Sequence, residues 1–255
     1  MLTVISPAKS LDLDPVDIPA TEPRFGDETA KLLVTARRQG IGDLRRLMSI
    51  SEDLARLNRD RFRDWDGAPE KPAIFAFAGD TYQGLDAATL SEDALRHAQV
   101  HLRILSGLYG LLRPLDALRP YRLEMGTRLK TRRGKDLYTF WGDRIARALA
   151  ADAADVGAGH LLNCASQEYF RAVDLPALGL PVVTPTFLED HPGGPKVIGF
   201  AAKRARGAMA RFVAENRIDD PADLRAFRAG GYEWQDSPVD APVFLRRAAA
   251  AAEAA

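Results

Sequence analysis

Residues 105–126 read LSGLYGLLRPLDALRPYRLEMG. A segment with a helical apolar period runs into Ser106, Gly107, Leu108, Tyr109 and Gly110, and Leu-Arg-Pro units follow at 112–114 and 118–120. Glycine admits positive φ and lets another backbone come close, while proline fixes φ. The chain is therefore turned sharply while arginines are hung on it at short intervals, which suits an anion-contacting hairpin better than a plain surface loop. Upstream, Leu95, Ala98, Leu102 and Leu105 form an apolar stripe, so residues 92–105 read as a helix leading into that hairpin. A second helix starting near Pro114 would complete a helix-hairpin-helix-like element. In such modules the hairpin N–H groups and the following helix N-terminus hold a DNA phosphate. Here Gly107 and Gly110 stand three apart, one more than the usual spacing.

The charge distribution points the same way. The 255-residue chain has no formal net charge, and its 46% apolar and 27% charged residues lie near the averages for soluble globular proteins. That balance argues against wholesale coating of nucleic acid or an anionic membrane. Locally, residues 113–135 hold eight Lys or Arg against Asp116 and Glu124, and residues 203–217 hold five against Glu215. Two basic zones on a neutral chain indicate a focused patch. The one cysteine, Cys164, excludes an intramolecular disulfide and fits a reducing cytosol. No apolar run reaches the length of a membrane span, and the first residues lack the tripartite build of a signal peptide. A cytoplasmic protein with no membrane partner is expected.

Strand-type runs occur at 2–5, 73–78, 161–164, 182–188 and 197–201, with amphipathic segments at 28–38, 52–62, 92–105, 137–150, 202–216 and 223–228. Thr89 with Glu92, and Ser49 with Glu52, have capping-box spacing, and Asp220 before Pro221 offers an N-cap with proline at N1. Residues 231–235 and 243–246 suit a late hairpin. Strands and helices mix without strict alternation, repeat or long linker. The expected fold is α+β (mixed α/β), a single domain over residues 1–247. A mixed sheet is flanked by helices and carries the embedded helix-hairpin-helix-like element. A low-complexity alanine-rich tail follows at 248–255.

Polar clusters follow four of the strand-type runs, at 6–9, 79–82, 163–169 and 203–207. If those strands are parallel, their C-terminal ends share one sheet edge, the usual ligand crevice of open α/β sheets. Lys9, Asp80, Tyr82, Asn163, Ser166 and Glu168 are the pocket residues of that reading; the plain alternative is that each cluster is a cap or turn. On the helix at 202–216, Ala202, Ala205, Met209, Phe212 and Val213 form the buried stripe, with Lys203, Gly207, Ala210 and Arg211 on an adjacent face. Small residues between two cations let a phosphate or another backbone approach. Arg206 lies at the stripe's edge and calls for an internal carboxylate, Asp80 or Glu124. A solvated basic face is the plain alternative.

His97 and His101 are spaced i, i+4 but have no obvious third ligand, and Cys164 ends a buried-type strand with nothing to lower its pKa. No nucleophile-elbow, Walker A or dinucleotide-binding glycine pattern is present. Neither a metal nor a cofactor is expected, and no catalytic residue stands out.

Taken together, SPAK at 6–9, GDTYQGL at 79–85, the 105–126 block, FWGD at 140–143 and AKRARGAM at 202–209 resemble the bacterial YaaA family, in order along nearly the whole chain. The resemblance implies protection against hydrogen peroxide damage, linked to limiting intracellular free iron and so Fenton chemistry on DNA. It also implies an embedded helix-hairpin-helix element and a positively charged cleft for duplex DNA. It carries over Lys9, Asp80, Arg113, Arg122, Glu124, Lys203 and Arg206 as cleft residues, without a catalytic assignment.

Two functions of different class follow. In the first, Ser106, Gly107, Tyr109, Gly110, Arg113, Arg122, Lys203, Arg206 and Arg211 hold DNA phosphates, Tyr109 being available to stack on an unpaired base. Such binding has little sequence preference and falls steeply with salt. In the second, the chain is an enzyme of unknown reaction acting on a small anionic ligand in the strand-end pocket, with Lys9 or Asp80 as acid or base. Iron or haem sequestration through His97 and His101 is a third, with the fewest ligands.

Overall fold

Leu2–Ile5 is buried at every residue and accordingly reads as one continuous apolar-type run, the mark of a central strand covered on both faces. The computed structural model describes residues 1–247, and the alanine-rich tail lies outside the described residues. Leu2–Ile5 pairs in parallel with Leu102–Ser106, Thr3 opposite Leu102, and with Leu161–Cys164, Val4 opposite Asn163. Val182–Val183 extends the parallel side, while Gly110–Leu112 folds back antiparallel on Leu102–Ser106. The result is a mixed five-stranded sheet. The long helix Gly199–Asn216 packs across Leu2–Ile5 and Leu161–Cys164. A second sheet of Thr186–Glu189, Val243–Arg246 and Tyr232–Trp234 contains the late antiparallel pair and surrounds Phe187, Phe227 and Phe244. The mixed α/β class stands.

The central hairpin differs from its expectation. The helix Glu92–His101 starts where Ser91 accepts a hydrogen bond from the Ala94 N–H, and it stops at His101. Leu102–Ser106 is extended and wholly buried. A short apolar run cannot be assigned to helix or strand by periodicity alone, and parallel pairing with Leu2–Ile5 decides it. Ser106 then pairs with Gly110 across a β-hairpin, and the next helix among the described residues is Leu137–Trp141. The helix-hairpin-helix-like element is thereby corrected to a strand-turn-strand of the sheet. Gly110 adopts φ 71°, and a Cβ there would lie 2.6 Å from the Trp141 ring, so core packing accounts for this glycine.

Other boundaries move for similar reasons. Residues 73–78 divide into the short helix Ala73–Ala76 and the strand Phe77–Ala78, and residues 182–188 divide between the two sheets. Residues 197–201 form no strand: the long helix opens at Gly199 within them, and Gly142, at φ 52°, interrupts the helical run at 137–150. Ser51, not Ser49, caps Glu52–Arg63 by accepting from the Leu54 N–H. Asp220 caps as expected, accepting from the Ala222 N–H.

The helix Gly199–Asn216 crosses the short helix Asp80–Leu85 at backbone contact. A Cβ on Gly207 would fall 1.7 Å from the Thr81 carbonyl oxygen, and one on Gly84 would fall 1.9 Å from that of Arg204. The small residues between the cations thus admit another backbone, not a phosphate. This crossing sets Lys203 and Arg206 beside the start of Asp80–Leu85.

Candidate functional site

The parallel strands Leu2–Ile5 and Leu161–Cys164 end on the same edge, and a cavity of about 500 Å³ opens there. Lys9, Asp80, Ser166, Glu168, Lys203 and Arg206 line it. Its volume falls within the usual range for small-molecule sites, which open α/β sheets place beyond their strand ends. Ser6 joins the two strand ends: its Oγ accepts from the Ser166 N–H at 2.8 Å and donates to the Ser166 Oγ at 3.2 Å. Tyr82 lies under the floor and donates its hydroxyl to the Ser6 carbonyl at 3.1 Å. On the rim, Glu124 receives both the Lys9 ammonium at 3.1 Å and Arg122 at 3.0 Å. Glu168 accepts from the Gly126 N–H at 3.0 Å.

Lys203, Arg206 and Asp80 make no side-chain hydrogen bond or ion pair among the described residues. The internal carboxylate expected for Arg206 is therefore absent: Glu124 is taken by Lys9 and Arg122, and Asp80 stands unpaired in the cavity wall. Cys164 also borders the cavity from a buried position, and burial pushes its thiol up to about 12, against a slight lowering by Arg206. That thiol is a protonated core group. Asn163 is structural: its Oδ1 accepts from the Ala165 N–H at 3.0 Å, and it does not reach the cavity.

Several hairpin residues expected at a DNA surface are engaged inside the protein, and two of the expected cations are held by internal partners at the surface. Ser106 is buried with its Oγ 2.6 Å from the Tyr121 hydroxyl, and the Gly107 carbonyl accepts from the Trp141 Nε1 at 3.1 Å. Tyr109 is 4% exposed and accepts from the Arg119 N–H, so it cannot stack on a base without unfolding its surroundings. Arg113 is held by Asp116 and the Glu22 carbonyl. Arg211 is held by Glu215, Thr89 and the Asp86 carbonyl. These placements correct the expectation that Ser106, Gly107, Tyr109 and Gly110 face a nucleic acid, while Arg113 and Arg211 stay partly at the surface in ion pairs with Asp116 and Glu215. The reason is the β-hairpin: turned into the sheet, its residues fill the core.

The exposed positive charge lies one segment further on. In residues 127–132, Thr127 and Leu129 are buried while Arg128, Lys130 and Arg132 are exposed. Residues 127–130 alternate as an extended chain does, with Arg128 and Lys130 on one side, and Arg132 follows in the turn that Thr131 and Gly134 close. None of the three has a side-chain partner among the described residues. Two shallow grooves of about 490 and 440 Å³ run between this segment and the helices Gly26–Ala36 and Ile41–Met48, and Arg38 and Arg46 line their far walls. Arg133 is tied back by Glu28 and by the Phe140 ring, 4.8 Å away. The charge count over residues 113–135 signalled this patch; which of its cations face outward depended on the alternation of burial.

His97 and His101 stack ring on ring at 4.1 Å, and among the described residues no three His, Cys, Asp or Glu side chains converge on a point. No helix among the described residues is long and apolar enough to cross a membrane.

A family model described as peroxide stress protein YaaA matches residues 1–237. A UPF0246 protein of Ruegeria pomeroyi is 57% identical over 252 residues, covering 96% of this chain and 98% of the relative. A UPF0246 protein of Cereibacter sphaeroides is 60% identical over 256 residues, covering 96% and 99%. One from Dinoroseobacter shibae is 58% identical over 266 residues, covering 100% and 98%.

Proposed function

The chain belongs to the YaaA family of peroxide stress proteins, and from that premise we propose that it protects DNA from iron-dependent oxidation by binding it along the row of exposed cations Arg128, Lys130 and Arg132. The supporting observation is the row itself. Arg128 and Lys130, alternate residues of an extended segment, stand about 6–7 Å apart, and Arg132 in the turn that follows adds a third charge, none of the three having a side-chain partner among the described residues. A polyanion of repeating phosphates matches the row, and Arg38 on the opposite groove wall adds a further contact, Arg46 there being ion-paired to Asp43.

Phosphate contacts position a nucleic acid without reading its bases, so binding has little sequence preference. The row follows Gly126, whose N–H is held by Glu168 at the mouth of the strand-end cavity, so the two features adjoin. Fluorescence anisotropy with duplex, bubble and single-stranded DNA over a salt series tests the reading. Affinity falling steeply with salt in the wild type, and less steeply in a variant lacking the row, is the expected result; no binding at low salt overturns it.

A further inference from the structure

We infer that the strand-end cavity is a separate binding site for a phosphate monoester that also carries hydroxyl groups, of the sugar-phosphate or nucleotide class. The observation is a mismatch of charge inside one concavity. Lys203 and Arg206 sit one helical turn apart, both face a space of about 500 Å³, and neither has a carboxylate, carbonyl or hydroxyl partner among the described residues. Every other potential anion at the rim is occupied or opposed: Glu124 is shared by Lys9 and Arg122, and Glu168 is bonded to the Gly126 N–H.

An unpaired arginine beside an unpaired lysine suits a compact dianion. The guanidinium fork matches two phosphate oxygens, and the ammonium supplies a point charge to the third. Both cations are carried on the 18-residue helix Gly199–Asn216, locked by the Gly207 and Gly84 crossing, so the pair is held on a rigid element.

The remainder of the cavity specifies the rest of the ligand. Asp80 is half-buried and has no internal partner, so it is an acceptor waiting for a donor. Ser166 presents its hydroxyl nearby. A carboxylate and a hydroxyl facing the body of the ligand select hydroxyl-bearing esters over bare phosphate. A long polyanion fits poorly, because the site is one concavity whose third cation, Lys9, is paired to Glu124, leaving only Lys203 and Arg206 free beside a carboxylate wall; repeated charge belongs to the exposed cations outside it. This inference stands apart from the nucleic-acid reading, and either survives failure of the other.

Isothermal titration calorimetry of the full chain with inorganic phosphate and with ribose 5-phosphate tests it. The wild type is expected to bind both, the sugar phosphate more tightly. Lys203→Gln with Arg206→Gln, a change of surface-accessible side chains that leaves the thermal midpoint in place, is expected to weaken both by at least about tenfold. Asp80→Asn is expected to narrow the preference for the sugar phosphate by about fivefold while leaving phosphate bound. The triple variant Arg128→Gln, Lys130→Gln and Arg132→Gln is expected to bind both ligands as the wild type does. If the monoester is carried on the end of a nucleic acid, a 5′-phosphorylated oligonucleotide binds more tightly than its 5′-hydroxyl counterpart, and Arg206→Gln erases the difference. No sugar-phosphate binding by the wild type, undiminished binding by the Lys203/Arg206 variant, or loss confined to the triple variant would each overturn the inference.

Discussion

Replacing Arg128, Lys130 and Arg132 together by glutamine removes three unpaired surface charges without touching the core, since Thr127 and Leu129 are the buried residues of this segment. Surface changes of this kind typically alter stability by no more than about 0.5 kcal/mol, so a thermal melt should be unchanged. The effect on DNA is specific in form. Each phosphate contact contributes about 0.9 to the slope of log affinity against log salt on duplex DNA, so three contacts contribute about 2.7. Raising salt from about 50 to 200 mM should therefore cost the wild type about 40-fold more affinity than it costs the variant. Anisotropy titrations at four or five salt concentrations measure that slope directly. The parallel variant Lys203→Gln with Arg206→Gln, whose cations face the cavity, should keep the wild-type slope. A triple variant with an unchanged slope, or a cavity variant that takes the larger share of it, would refute the placement of the contacts on the row.

The helix crossing gives a stability prediction: Gly207→Ala drives a methyl into the Thr81 carbonyl, which should cost about 3 kcal/mol and shift the urea midpoint; an unshifted midpoint would show that the helices are not in backbone contact. Cys164, with its thiol pushed up to about 12 by burial, should resist maleimide at pH 8 in the folded protein and react promptly in urea. Rapid labelling of the folded chain would count against its place in the core. Burial and the positive charge of neighbouring groups lower His97 to about 4 from its ordinary 6.5. The unfolded chain therefore takes up a proton first, so stability present above pH 6.5 is lost as pH falls from 6.5 through 4. The full shift corresponds to about 3 kcal/mol, and partial exposure of the ring reduces this to about 1–2 kcal/mol. Denaturant unfolding between pH 7 and 4 should show that loss and should show less of it in His97→Gln.

The β-hairpin at 105–112 separates two roles that one stretch of sequence suggests together. Its glycines and buried tyrosine serve the sheet and the Trp141 contact, while the arginines after it are divided between internal ties and the exposed surface. A peroxide stress protein built this way keeps its lone thiol protonated in the interior and presents unpaired cations both inside a concavity and on the exposed segment 128–132.

Local patterning determined a good part of this protein. The central strands Leu2–Ile5 and Leu161–Cys164, the long basic helix, the late antiparallel pair and the mixed α/β class follow from apolar runs and periodicity, which act over a few residues. The polar clusters after the strands could also be read as one pocket, because parallel strands bring their C-terminal ends to one edge, and Lys9, Asp80, Ser166, Glu168, Lys203 and Arg206 do meet there. Only the tertiary structure decided the fate of residues 102–106, whose apolar side chains satisfy helix and strand equally until the neighbouring strand supplies hydrogen-bond partners. It alone decided, too, which cations are free. An arginine's availability depends on whether a carboxylate or carbonyl from a distant segment lies within about 3 Å, as Glu22 does for Arg113 and Leu85 to Thr89 do for Arg211, and as none among the described residues does for Arg206, Arg128 or Arg132. Spacing along the chain carries no information about such partners, because they are brought together by the packing of elements far apart in sequence.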